Sequence, residues 1–176
     1  MTMLAARNQS QTPAYRSGGA AFLLALLAIL GALAFEHIGG YAPCPLCLQQ
    51  RWAYYAGVPV LFAALVLLSS GHRRVAAALF LLVALAFLAN AGLGTYHAGA
   101  ESKFWPGPDT CGSGGGVTTS AGNLLGELSK TRVVRCDEPA LHVFGLSLAA
   151  WNVLASLAIF VSSLKAAFSS AGRPQA

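Results

Sequence analysis

Four long apolar runs decide what this chain can become. They cover about residues 18–37, 50–70, 75–96 and 140–164. No charged residue falls between Gly18 and Phe35 or between Trp52 and Ser70, and in the fourth run only His142 can titrate. Each run is close to the roughly 20 residues a helix needs to cross the hydrocarbon core of a bilayer. In lipid the backbone must satisfy its own hydrogen bonds, so the runs are expected to be helices. The fold class that follows is an all-α membrane protein, a four-transmembrane-helix bundle forming a single domain over 1–176. Composition agrees. The chain is 56% hydrophobic and 10% charged, against about 25% charged in a soluble domain, too little to build a polar surface. The net charge of +5 does not argue for nucleic acid, because basic residues beside membrane spans are needed for topology. The first run is longer than a signal-peptide core, and no clear small-residue cleavage site follows it before Cys44.

Four spans put both termini on one side and the connections 38–49 and 97–139 on the other. All four cysteines lie in those connections: Cys44 and Cys47 in the first, Cys111 and Cys136 in the second. On the terminal side stand Arg7, Arg16, Arg73, Arg74, Lys165 and Arg173, with no acidic residue. Arg51, Lys103, Lys130, Arg132 and Arg135 stand on the other side, so the count is only six against five. The first group is packed into much shorter segments, which places the termini in the cytoplasm. The cysteines then face an oxidising compartment, where disulfides persist. The first 15 or so residues and the last eight or so are small and polar and are expected to be flexible.

Cys44-Pro45-Leu46-Cys47 is a C-x-x-C motif. Pro43 and Pro45 precede an uninterrupted helical run, and proline suits the first helical turn. The pair is therefore expected at the N-terminus of the second span, where unsatisfied N–H groups favour a thiolate. Thiolate is the species that attacks disulfides. A thioredoxin reading fails for want of a βαβ pattern. A zinc site would need a second clustered pair, whereas 24 residues separate Cys111 from Cys136 and neither His97 nor His142 completes a familiar spacing, so no metal is expected. Cys111 precedes Gly112-Ser113-Gly114-Gly115-Gly116, either a plain linker or the slack that lets Cys111 visit more than one sulfur. Cys136 is anchored close to the fourth span.

Arg51 follows Cys44 by seven residues and Cys47 by four, which on a helix puts it on the same face, one turn below Cys47. It is either an arginine snorkelling beside Trp52 or a donor to a carbonyl oxygen where charge develops on an electron acceptor. Glu36 and His37 close the first span and read as interfacial residues. Tyr96 and His97 close the third, and His97 is expected at the level of the C-x-x-C. Trp105 and Trp151 read as belt or packing residues. Residues 123–134 carry the pattern of a short surface helix.

"CPLCLQQR" opening the second span, "TYH" closing the third, then "FWPGPDTC" and "RCDEP" before the fourth resemble the disulfide bond formation protein B (DsbB) family over about residues 18–165. That resemblance implies a bacterial inner-membrane oxidoreductase, with cytoplasmic termini and periplasmic cysteine loops. It would pass electrons from a periplasmic thioredoxin-like dithiol oxidase (DsbA-like) to a membrane quinone, ubiquinone or menaquinone. It further implies that Cys111 forms the mixed disulfide with the partner. Cys136 would resolve it and exchange with Cys44, and Cys47 would be the thiolate in contact with the quinone. Arg51 and His97 would be quinone-binding residues. Two alternatives stand beside it. One is a vitamin K epoxide reductase-like protein, in which the C-x-x-C follows the other pair rather than preceding it. The other is a membrane scaffold whose disulfides only staple its outer loops.

Overall fold

The structure, a computed structural model, describes residues 2–107, 136 and 141–172, with side chains from residue 13 onward. Among the described residues there are four helices: α1 (Thr2–His37), α2 (Pro45–Ser69), α3 (Arg73–Glu101) and α4 (Leu148–Ala171). All four are long and apolar enough to cross a membrane, with mean hydropathies from 1.6 to 2.4. The expected four-helix membrane fold is present. Cys111 and the surface helix expected at 123–134 lie outside the described residues.

Several element boundaries differ from the sequence reading; α2 begins at Pro45 rather than near 50, and α4 ends at Ala171 rather than near 164. Helix α1 begins at Thr2, so residues expected to be flexible continue the helix. Helix α3 runs to Glu101, past the expected end at Tyr96. The fourth helix starts at Leu148, about eight residues later than expected. In front of it stands a small antiparallel hairpin, β1 (His142–Val143) and β2 (Leu146–Ser147), so the chain is not purely α. The reason is local. Phe144 and Gly145 both take positive φ, 52° and 81°, the backbone signature of a tight two-residue hairpin turn. Ser147 then caps α4, its Oγ accepting the Ala150 N–H at 3.2 Å, as a serine N-cap does.

The helices pack as a ring in which α3 meets α4 most extensively, α1 meets α4, and α2 meets both α3 and α1. Lipid-facing positions carry leucines such as Leu27, Leu82 and Leu85, all more than half exposed. The interior is built from small residues, Ala14, Ala21, Ala25, Ala64 and Ala76, around Phe80 and Phe87. Small residues let helices approach closely where no hydrophobic effect drives association in lipid. Gly57 is such a contact, since a Cβ there would come within 2.7 Å of the Phe87 ring. At the end bearing the 2–3 turn, Arg73 donates to the carbonyls of Ser170 at 3.2 Å and of Ser169 and Gly172 at 3.4 Å. That cation closes the otherwise orphaned C-terminus of α4. At the opposite end Trp105 folds back over α3, its indole N–H donating to the Tyr96 carbonyl at 2.9 Å and its ring stacked on Tyr96.

Candidate active site

The site forms where the N-terminus of α2 meets the C-terminus of α3. Cys44 is the N-cap of α2, extended at φ −75° and ψ 163°, with Pro45 opening the helix behind it. Its Sγ occupies the place of a capping oxygen and accepts the Cys47 N–H at 3.2 Å. One helical turn brings the two sulfurs to 2.9 Å, and both cysteines are free thiols. The thiol of Cys47, then the imidazole of His97 and the Cys47 N–H, hold the Cys44 thiol below its ordinary range, against the opposing effect of burial. These groups stabilise the thiolate that disulfide exchange requires.

His97 lies at the level of the C-x-x-C as expected. It is 2% exposed, and its Nε2 stands 3.5 Å from Cys44 Sγ. Its other nitrogen joins a buried hydrogen-bond chain that the sequence reading did not foresee. Gln50 Nε2 meets His97 Nδ1 at 3.0 Å, and Gln50 Oε1 accepts from Asn152 Nδ2 at 2.5 Å. Asn152 Oδ1 accepts from the Tyr54 hydroxyl at 2.6 Å. Tyr54 lies 3.4 Å from Ser156 Oγ, which accepts from Asn90 Nδ2 at 3.0 Å. An amide NH2 only donates, and a hydroxyl has one proton. The Tyr54 proton is committed to Asn152, so Ser156 must donate to Tyr54. Every bond then points the same way, and Gln50 can only donate to Nδ1. In this polarity the imidazole keeps its proton on Nε2, facing the Cys44 sulfur.

Arg51 is on the cysteine side of α2, as expected, and is ion-paired with Glu36 of α1, so Glu36 is more than an interfacial residue. Its Nη2 also reaches the Ala32 carbonyl at 3.5 Å. Glu101, four residues after His97, was not anticipated. Its Oε1 is 3.6 Å from His97 Nε2 and its side chain is 8% exposed, while Oε2 is buried without a partner among the described residues. Cys136 is 1% exposed and packs against Cys44 and Leu46. It is disulfide-bonded. The two cysteine regions therefore meet at one end of the bundle.

A cavity of about 490 Å³ opens beside these groups. Leu27, Phe35, Tyr41, Phe144 and Trp151 supply apolar wall, and Cys44, Cys47, Arg51, His97 and Glu101 gather at its polar end. Trp151, read from the sequence as belt or packing, contributes to this wall, and its indole N–H donates to the Val143 carbonyl at 2.9 Å, tying the hairpin to α4. An apolar pocket with few convergent polar groups suits a small hydrophobic ligand.

A C-x-x-C at the N-terminus of a membrane-length helix, beside a second cysteine region and an apolar-walled cavity, is the arrangement of a membrane thiol–disulfide oxidoreductase. The family model for disulfide bond formation protein DsbB matches residues 16–166. The chain belongs to the DsbB family, multi-pass inner-membrane proteins that form disulfides. It is 28% identical over 141 residues to disulfide bond formation protein B 1 of Pseudomonas fluorescens, covering 76% of this chain and 77% of that protein. It is also 23% identical over 140 residues to the uncharacterized protein RP370 of Rickettsia prowazekii, covering 78% of each. No solved structure matches the chain significantly.

Proposed function

We propose that the chain reoxidises a periplasmic thioredoxin-like dithiol partner of the DsbA kind and delivers the electrons to a membrane quinone. The termini would be cytoplasmic and the cysteine loops periplasmic. The observation that carries the reading is the free Cys44–Cys47 pair, packed against Cys136 on one side and opening on the other into the cavity that Arg51 and His97 line. A structural staple needs neither a thiol pair nor such a cavity.

In this reading a partner thiolate attacks a Cys111–Cys136 disulfide at Cys111 and releases the Cys136 thiolate. Cys136 attacks Cys44 of an oxidised C-x-x-C, and Cys47 leaves as a thiolate. The second partner thiol then attacks the mixed disulfide, and the oxidised partner departs. The Cys111 thiolate takes Cys136 back, leaving Cys44 and Cys47 reduced. Reclosing the Cys44–Cys47 disulfide releases two electrons and two protons, the quantity consumed in reducing a quinone to a quinol. The residues present suit that acceptor. The cavity is apolar-walled, and among the described residues the Arg51 guanidinium, which carries five N–H donors, engages only Glu36 and the Ala32 carbonyl. Arg51 and His97 would hold the head group, next to Cys47.

The test is anaerobic turnover of purified full-length protein with a reduced thioredoxin-like partner and a soluble quinone. Stoichiometric quinol formation is expected, abolished in Cys44→Ser and Cys47→Ser with both variants still inserted and folded. Turnover by either variant at the wild-type rate would remove the C-x-x-C from the pathway.

A further inference from the structure

The reduced C-x-x-C does not stand alone. The sulfurs of Cys44 and Cys47 and a ring nitrogen of His97 all lie within 4.8 Å of one another. Around a tetrahedral zinc, with ligand distances of about 2.0–2.3 Å, neighbouring ligand atoms sit roughly 3.3–3.8 Å apart. The Cys44 Sγ to His97 Nε2 distance of 3.5 Å already matches one such edge, and the Nε2 to Glu101 Oε1 distance of 3.6 Å matches another. The two sulfurs, at 2.9 Å, would need to part by about 0.9 Å to reach the sulfur–sulfur edge of the same tetrahedron. A second, independent observation points to a cation. The Glu101 side chain is more than nine-tenths buried, lines the same cavity, and leaves Oε2 without a partner among the described residues. A buried carboxylate oxygen with no donor is costly, and a metal ion would satisfy it.

We infer that the reduced enzyme carries a binding site for a thiophilic divalent cation, Zn2+ or Cd2+, formed by Cys44, Cys47 and His97, with the neighbouring Glu101 carboxylate drawn in as the fourth ligand. The site exists only in the dithiol state. Binding displaces the thiol proton that the pair still holds, with no change of oxidation state, whereas a Cys44–Cys47 disulfide offers no thiolate. Coordination through Nε2 requires the His97 proton on Nδ1, and the buried chain supplies that by reversing its polarity. Gln50, Asn152 and Asn90 flip their amides, and Tyr54 and Ser156 rotate their hydroxyls. Gln50 Oε1 then accepts from Nδ1–H, the kind of outer contact that orients metal-bound histidine. The sequence hides this site because its ligands come from two helices and one is a carboxylate five residues beyond the expected end of the third span. The consequence for turnover rests on the function proposed above: a metal-loaded pair cannot pass electrons on.

The test is binding itself, which needs neither quinone nor partner, so its failure is separate from failure of the electron-transfer reading. Full-length Cys111→Ser/Cys136→Ser protein in detergent leaves the C-x-x-C as the only thiols. It is titrated with Cd2+ by calorimetry and by thiolate-to-cadmium ultraviolet absorbance, once reduced and once oxidised. One Cd2+ per reduced chain and none per oxidised chain is expected, with proton release. Glu101→Gln, nearly isosteric, and His97→Ala should each weaken binding at least tenfold. No binding to the reduced protein would overturn the proposal, as would equal affinity in both variants, which would leave only an unspecific dithiol chelate.

Discussion

Replacing His97 by alanine tests whether the imidazole sets the reactivity of Cys44. The perturbation removes the contact at 3.5 Å between Nε2 and the sulfur, inside a site from which His97 is almost fully excluded from water. A hydrogen bond to a charged group contributes about 1.5–3 kcal/mol, and one pKa unit corresponds to about 1.4 kcal/mol. The Cys44 titration should therefore move up by about 1–2 units. The sign follows from what is lost, since the imidazole favours the thiolate and its removal favours the thiol. Cys47, the larger influence on Cys44, stays in place, so the shift is partial and Cys44 remains below an ordinary thiol. The assay is iodoacetamide alkylation of the reduced full-length protein across pH, with Cys44 followed by peptide mass mapping. On the acid side of the wild-type midpoint the rate should fall up to roughly 100-fold for a two-unit shift, because each unit is a tenfold change in thiolate. Gln50→Leu keeps the ring but releases its tautomer and should shift the midpoint in the same direction by less. An unchanged midpoint in His97→Ala would refute the reasoning, as would a wild-type Cys44 that titrates near 8.5, the approximate value of a free thiol.

Arg51→Ala should raise the KM for quinone by roughly 10- to 150-fold, the equivalent of one charge-assisted hydrogen bond, while leaving the KM for the thiol partner nearly unchanged. Steady-state kinetics at varied quinone concentration measure both, and Arg51→Lys should recover only part because it lacks the planar fork. Cys136→Ser should trap a covalent complex with the reduced partner through Cys111, visible on a non-reducing gel. Trapping through Cys44 would reverse the order of exchange. Cysteine-accessibility probes at Arg74 and the C-terminus should report cytoplasm, and a probe at Gly115 should report periplasm. Gly57→Val should cost about 1–3 kcal/mol by overpacking against Phe87, read as a lower midpoint of thermal or detergent unfolding, with the Cys44 titration intact.

The helices were legible because lipid leaves the backbone no other choice, so apolar length alone announced them. Their ends were less so. Residues 140–147 are as apolar as a span, and composition cannot separate a hairpin at the bundle mouth from a first helical turn. The signals that do were present, in Phe144-Gly145 and in Ser147 placed to cap Leu148. The C-x-x-C and Arg51 could be read because their spacing lies within one helix. The ion pair of Arg51 with Glu36 and the approach of His97 to Cys44 join residues 15 and 53 positions apart, and local periodicity is blind to such pairs. Gln50, Tyr54, Asn90 and Asn152 had a usable signal. They are polar groups within apolar spans, and such groups face the bundle interior and find partners.

The polar chain explains more about positioning than about stability. Its five contacts all cross between helices, from α3 to α2, from α2 to α4, and from α4 back to α3. Interhelical hydrogen bonds in a membrane average only about 0.6 kcal/mol each, so together they supply on the order of 3 kcal/mol. The alanine and phenylalanine packing around Phe80 and Phe87 holds the bundle without them. What the chain does supply is direction, because one committed proton at Tyr54 fixes the orientation of every neighbour up to His97. In the polarity of this structure that direction ends in an N–H aimed at the Cys44 sulfur. The tautomer of a single histidine is therefore a property of three helices. Breaking the chain far from the cysteines, at Asn90 or Ser156, should loosen the thiolate's environment while leaving every sulfur in place.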